Sequence, residues 1–334
     1  MTPRRSIIPI FIPHLGCPND CVFCNQKRIS GCMRPAEPRD VVRAIEEALA
    51  CGAEGAEAAF YGGSFTAIPE GEQEALLGAA QGYLRDGRIT SLRLSTRPDA
   101  IDERTLERLE RFGVRTVELG AQSMCVDVLL RSGRGHTAAD TVRAAELIKR
   151  AGFSLILQMM TGLPGSDDER DIETARRIIA LRPDGVRIYP TVVIRDTALY
   201  DMLLAGEYRE HTVEDAVRVC ARIVPMLEAA GIPVIRLGLN PTDDLSGGDA
   251  VGGAYHPALG EMVRARIMLQ KARAALAGSD WRGRDVTLLC AASCVSQLSG
   301  QHRCNKAALM CEFGMKSIKI TPADIAPGEV RIQR

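Results

Sequence analysis

An incomplete (β/α)6 barrel followed by a small α/β appendage is the fold this sequence predicts, on three observations. Between residue 6 and about residue 204, short β-rich runs alternate with amphipathic helical patterns. Six such units follow one another, which implies a parallel sheet with right-handed crossovers. No Gly-x-Gly-x-x-Gly follows the first run, so the nucleotide fingerprint of a doubly wound sheet is missing and an open, TIM-like barrel fits better.

The strands, in order, are 7–14, 56–63, 90–96, 115–121, 154–162 and 185–193, each short and rich in Ile, Val, Leu or aromatic side chains. Amphipathic stretches at 38–52, 102–114, 137–152 and 171–185 supply helices between them, several ending in Gly as helix C-termini favour. One more helix (212–231) and strand (232–240) follow. The Gly- and Asp-rich stretch 241–257 reads as a loop. Beyond it, helix 258–277, strand 285–292, helix 305–314 and strand 317–323 form the appendage. The expected division is a core barrel over 1–240 and a linker with extension over 241–334.

Lys and Arg total 42 and so do Asp and Glu, so no bulk field draws the chain to nucleic acid or an anionic membrane. There is no 18-residue apolar run. The basic start of the chain has its apolar part broken by two prolines and carries no export signal, so the expected compartment is the cytoplasm. The eleven cysteines are then thiols or metal ligands.

Cys17, Cys21 and Cys24 form a C-x3-C-x2-C run in the loop after the first strand. In parallel barrels the chemistry gathers at the C-terminal strand ends. Three thiolates hold a [4Fe–4S] cluster and leave one iron open to another ligand, whereas four saturate it. The alternatives are a zinc site completed by His14 or Cys32, and unrelated core thiols.

The run "CPNDCVFC", with Phe23 before its last cysteine, resembles the signature of the radical S-adenosylmethionine (radical SAM) enzymes. In that family the open iron chelates the amino and carboxylate groups of SAM. The other strand ends agree. "FYGGSF" is similar to the family's Gly-Gly-Glu motif, implying that Gly62 and Gly63 approach the methionine amine, with Ser64 where Glu is commonest. "LSTRPD" offers Arg97 as a polar contact and has Ser95 where some relatives carry an acidic SAM ligand. "GAQS" implies Gln122 and Ser123 at the ribose, "GRGHT" implies Arg134 at the methionine carboxylate, and "ILQMMTGLPG" places Gln158 beside adenine with a permissive Gly162–Gly165 turn. Tyr189 points to the mouth if the register of the sixth strand holds.

Across roughly residues 7–266 the chain most resembles the radical-SAM subunit of the Elongator complex and its bacterial relatives, a group that modifies wobble uridine in tRNA. The residues beyond 266 are too few for that group's acetyltransferase domain, so its acetyl-CoA reaction is not carried over. The resemblance implies a reductant such as ferredoxin or flavodoxin. The substrate stays open between tRNA and a small molecule, since "GAQS…GRGHT" also occurs in oxygen-independent coproporphyrinogen dehydrogenases. A non-catalytic iron–sulfur module is the rival class, and it leaves the polar strand ends unexplained.

Cys290, Cys294, Cys304 and Cys311 are irregularly spaced and read as a second metal site or as buried thiols. Cys51, Cys125 and Cys220 read as core. His256 either reaches the active site or orders its loop. A local basic surface for tRNA would draw on Arg4–Arg5, Lys27–Arg28 and Arg264–Arg266.

Overall fold

The computed structural model describes residues 6–12, 17, 20–25, 34–239 and 245–333. In chain order the regular elements begin with β1 (Ile7–Phe11), α1 (Pro38–Ala50), β2 (Ala56–Tyr61), α2 (Glu70–Ala79), α3 (Gln81–Arg85), β3 (Ile89–Thr96) and α4 (Glu103–Arg111). Then come β4 (Val114–Gln122), α5 (Val126–Arg131), α6 (Ala138–Arg150), β5 (Ser154–Thr161), α7 (Asp168–Leu181), β6 (Gly185–Pro190), β7 (Val192–Ile194), α8 (Ala198–Leu204), α9 (Val213–Ala229) and β8 (Val234–Leu237). The last are β9 (Ala250–Gly253), α10 (Leu259–Leu276), β10 (Asp285–Cys290), α11 (Val295–Ser299), α12 (Cys304–Phe313), β11 (Ser317–Pro322) and β12 (Val330–Ile332).

The chain divides into two units, 1–211 with 227–255, and 212–226 with 256–334. In the first, seven parallel strands run β1-β2-β3-β4-β5-β6-β8, so β1 and β8 are edges and the barrel stays open. Side chains alternate across each strand. On one face Phe60, Leu92, Leu94, Val117, Leu119, Leu155, Leu157 and Ile188 are fully buried, which is the apolar layer that covering helices require. Helix starts follow local chemistry: Asp102 accepts from the Thr105 amide, and Thr137 and Asp140 form a reciprocal box at α6.

All six expected βα strands form, and the strand expected at 232–240 joins as the seventh. Helix α7 begins three residues before the expected position, because Asp167 caps it by accepting from the Arg170 amide. The run 185–193 is two strands: β6 ends at Pro190, and β7 leaves the main sheet to pair antiparallel with β9. That pairing also makes part of the expected loop 241–257 a strand, with Gly253 at φ +85° packed so closely on Thr191 that a Cβ would lie 2.6 Å from its carbonyl.

The second unit has its own three-stranded sheet, β11-β10-β12, parallel on one side and antiparallel on the other. Its core gathers Leu276, Leu288, Cys290, Leu298 and Leu309. Strand β12 lacks any strong apolar run and was not expected from the sequence.

Candidate active site at the ends of the parallel strands

The cysteine loop is held by backbone bonds to two other strand-end loops. Val22 donates to the Ser132 carbonyl at 3.2 Å, and Leu199 donates to the Val22 carbonyl at 2.7 Å. Gly133, at φ +64°, sits so close that a Cβ would lie 3.2 Å from the Asp20 carbonyl. Phe23 packs among Val193, Leu199 and Tyr208. Cys21 is buried, Cys24 is half-buried and its amide donates to the Cys21 carbonyl at 2.9 Å. The atoms packed around the Cys17 sulfur push its thiol up, as does Cys21 nearby, while Arg134 and Arg97 pull it down. Among the described residues no three His, Cys, Asp or Glu side chains stand in a metal-binding arrangement. His14, Cys32, Lys27, Arg28, Arg4 and Arg5 lie outside the described residues.

Arg134 reaches this loop from the turn after α5. Its Nη1 donates to the Cys21 sulfur at 3.3 Å and its Nη2 to the Gly120 carbonyl at 2.7 Å. Strand β4 makes room for it: the register slips between Gly120 and Gln122, Gln122 takes φ +60°, and a Cβ on Gly120 would meet Arg134 at 3.3 Å. The slip leaves the Gln122 Oε1 buried with no hydrogen-bond partner among the described residues. A buried acceptor without a donor costs about 1–3 kcal/mol, so it fits a ligand hydroxyl or ordered water.

Three expected contacts are engaged within the protein. Ser64 is buried, shares a hydrogen bond with Thr96 at 3.1 Å and accepts from the Arg97 amide, stitching the ends of β2 and β3. Ser123 bonds Thr174 and accepts from the Cys125 amide. The Arg97 guanidinium forks onto Asp99 and also donates to the Arg134 carbonyl at 2.8 Å. Gly62 stands at φ +101° beside half-buried Gly63. Gln158 donates to Glu118 at 3.2 Å. Ser95 and Tyr189 are half-buried.

Reasoning from the sequence missed the polar floor on the inner side of the sheet. Glu118, completely buried on β4, accepts from Tyr61, Arg93, Gln158 and Arg187, residues of four other strands. Burial would push its carboxyl up, but the charges of Arg187 and Arg93 and the hydrogen bonds outweigh that and hold it below the ordinary range. Arg93 also binds Glu57, which accepts from Ser91 at 2.7 Å. His136 was missed as well. Its Nε2 faces the Ala121 carbonyl at 3.2 Å and must carry the proton; burial first, then Arg134, lowers its pKa to about 4.

Elsewhere the sequence expectations divide. Cys220, Cys290 and Cys294 are buried, but Cys51, Cys304 and Cys311 are exposed, because each sits at a helix end or on a helix's outer side. The Cys294 sulfur accepts from the Gly328 amide at 3.3 Å. His256 accepts from the Ala258 amide at 3.0 Å, a loop-ordering bond. Arg266 pairs with Glu214, which takes up part of the charge expected for a basic surface.

Residues 11–178, half of the chain, match the family model of the radical SAM superfamily. The chain belongs to the radical SAM superfamily. Residues 183–269 of this radical SAM protein match the radical SAM C-terminal domain. It is 37% identical over 135 residues to the tRNA uridine(34) acetyltransferase of Methanocaldococcus jannaschii, covering 40% of the chain and 25% of that protein. It is 32% identical over 186 residues to mouse (Mus musculus) Elongator complex protein 3, covering 50% and 34%. The radical SAM chain thus spans a quarter to a third of the length of these relatives. Among solved structures, the archaeal Methanocaldococcus infernus Elp3 matches with a TM-score of 0.63 at 25% identity, over 80% of this chain and 63% of that one. Coproporphyrinogen III oxidase of Escherichia coli matches at 0.50 and 16% identity, over 69% and 54%, a likeness of fold alone.

A radical SAM enzyme works with a [4Fe–4S] cluster and S-adenosylmethionine. The donor chemistry of the residues present suits both groups, although the three cysteines do not stand in a metal-binding arrangement in this structure. Three thiols share one loop, a buried guanidinium faces one of their sulfurs, and Gln122 offers a buried acceptor of the kind a ribose hydroxyl satisfies.

Proposed function

We propose that this radical SAM enzyme acts on tRNA, with Cys17, Cys21 and Cys24 holding the cluster and the ends of β2 to β5 holding SAM. The single observation behind the site is Arg134 packed against Cys21 where the parallel strands end. When bound, the cluster and SAM together supply reductive cleavage of the sulfonium to a 5′-deoxyadenosyl radical that takes hydrogen from the substrate.

The chain's own residues bind and orient. Gly62, at φ +101°, and Gly63 let backbone approach the methionine end of SAM. Gln122 accepts from the ribose, and Gln158 lies along β5 toward the base. Arg134, anchored on the Gly120 carbonyl, presents a guanidinium suited to a carboxylate. Ser64, Ser123 and Arg97 act one step back, fixing the loops that carry these groups. The half-buried inner residues of β3 and β6, Ser95 and Tyr189, face the space a substrate would enter. A one-electron donor of the ferredoxin or flavodoxin class supplies the electron.

The tRNA reading rests on the relatives, a tRNA uridine(34) acetyltransferase and Elongator complex protein 3. The small-molecule alternative rests on the "GAQS…GRGHT" run, whose resemblance extends to oxygen-independent coproporphyrinogen dehydrogenases. The test has two arms. Anaerobically reconstituted protein is expected to bind iron and cleave SAM under a chemical reductant, and the Cys17→Ala/Cys21→Ala/Cys24→Ala protein to lose both. The same reconstituted protein is expected to retain tRNA on a filter with affinity falling linearly in log salt. Unchanged iron in the triple variant ends the cluster assignment, and no retention at low salt hands the substrate to the small-molecule class.

A further inference from the structure

We infer that Arg134 sets the reduction potential of the cluster through the Cys21 sulfur, independently of SAM, and so is a positioning residue for electron entry. The inference rests on the cluster assignment above.

Three basic side chains lie at the ends of β3 and β4. Arg97 is forked onto Asp99, so its charge is matched at close range. His136, with a pKa of about 4, is neutral at physiological pH. Arg134 is buried, its Nη2 donates to the Gly120 carbonyl, and its Nη1 donates to the Cys21 sulfur at 3.3 Å.

The arrangement is fixed from both ends. The Gly120 carbonyl holds the guanidinium, Arg97 holds the Arg134 backbone carbonyl, and the slip in β4 clears the space. A side chain so braced keeps its charge at one distance from the sulfur through a change of redox state.

Adding one electron makes an iron–sulfur cluster and its thiolates more negative. A fixed cation and an N–H donor on a ligand sulfur stabilise that reduced form, and at a buried site water screens them little. Arg134 therefore raises the midpoint potential and makes the cluster easier for a one-electron donor to reduce. Removing it lowers the potential whether or not SAM is present.

The test is a potentiometric titration of reconstituted protein without SAM, followed by the electron paramagnetic resonance signal of the reduced cluster. Relative to wild type, Arg134→Gln is expected to lower the reduced-to-oxidised ratio at fixed potential by about tenfold, or about 59 mV for one electron. Arg134→Lys keeps the charge but not the two-pronged geometry, and should fall between the two. If Arg134→Gln holds no iron, Arg134→Lys decides the matter, with a lowered midpoint. Coincident midpoints for wild type and Arg134→Gln or, where that variant holds no iron, for wild type and Arg134→Lys, overturn the inference. A wild-type protein that assembles no cluster overturns the cluster assignment, and this inference with it.

Discussion

Asp171 is a carboxylate whose ordinary ionisation the fold opposes. It is buried on α7, accepts from the Gly162 amide at 2.9 Å and from the Ser166 hydroxyl, and so closes the turn after β5. Burial pushes its pKa up to about 7; those two bonds pull it back, and Asp168 and Asp167 add to the rise. Between about pH 4, where an unfolded Asp ionises, and about pH 7, the folded protein keeps a proton that the unfolded chain has lost. Its contribution to stability is thus full below pH 4 and is lost as pH rises to 7. Asp171→Asn removes that slope while its carbonyl still accepts from Gly162. At pH 8 the variant should be more stable than wild type by an amount on the order of a few kcal/mol, with a smaller gap at pH 5. Thermal melts across this range check it, and parallel pH profiles for the two proteins would count against it. The "GLPGSD" run was legible as a permissive turn. Its lock was not, because Asp171 stands five residues on in a helix and looks like any first-turn acid.

At the scale of an element, the turn after β5 shows how tightly one strand end is specified. Gly162 has φ +71°, and a Cβ there would lie 2.0 Å from the His211 ring, which itself bonds Thr161 at 3.1 Å. Tyr208 donates to the Gly162 carbonyl at 2.8 Å. Gly162→Ala should therefore cost roughly 2–4 kcal/mol, combining backbone strain with overpacking. Gly152 is the matched control, with φ +80° and nothing within 4 Å of a built Cβ. Gly152→Ala should cost about 1 kcal/mol. Urea unfolding of the two variants separates strain from clash; equal losses would show that the His211 contact gives way freely. The sequence announced these strands and their order through alternation of period. It did not announce that β6 breaks before β7, since "RIYPTVVI" runs apolar through the break and only Pro190 hints at it.

Across the whole of the first unit, five strands contribute to one buried polar network centred on Glu118. Two guanidiniums, Arg93 and Arg187, meet two carboxylates, Glu118 and Glu57, so the interior stays charge-balanced. Neutralising one member leaves its partners buried without compensation. Glu118→Gln is expected to destabilise the protein by about 3–5 kcal/mol by chemical denaturation, and a loss under 1 kcal/mol would mean that water reaches the arginines. A signal for this network was present, a lone Glu or Arg near the middle of successive apolar strands ("AEAAF", "LRLS", "VELG", "VRIY"). Strand alternation puts such residues on the face away from the helices. What one-dimensional reading lacks is register, and register alone makes Glu118 the hub. The cysteine loop and the glycine-rich strand ends were legible because their chemistry is local in sequence. Arg134 against Cys21 was not, since 113 residues separate them.

The two units described above do not share a single junction. The polypeptide passes into the second unit at Thr212, returns at Leu227 and leaves the first unit for good after Tyr255. For anyone cutting the protein into pieces, no one cleavage point yields both parts intact. A fragment ending near residue 240 keeps Thr212–Met226 and loses the residues it is grouped with, together with β9, the partner of β7. Excision of the second unit needs three cuts, after His211, Met226 and Tyr255, and a bridge from His211 to Leu227 that replaces most of α9. Its transplantation onto another protein needs both of its segments carried together.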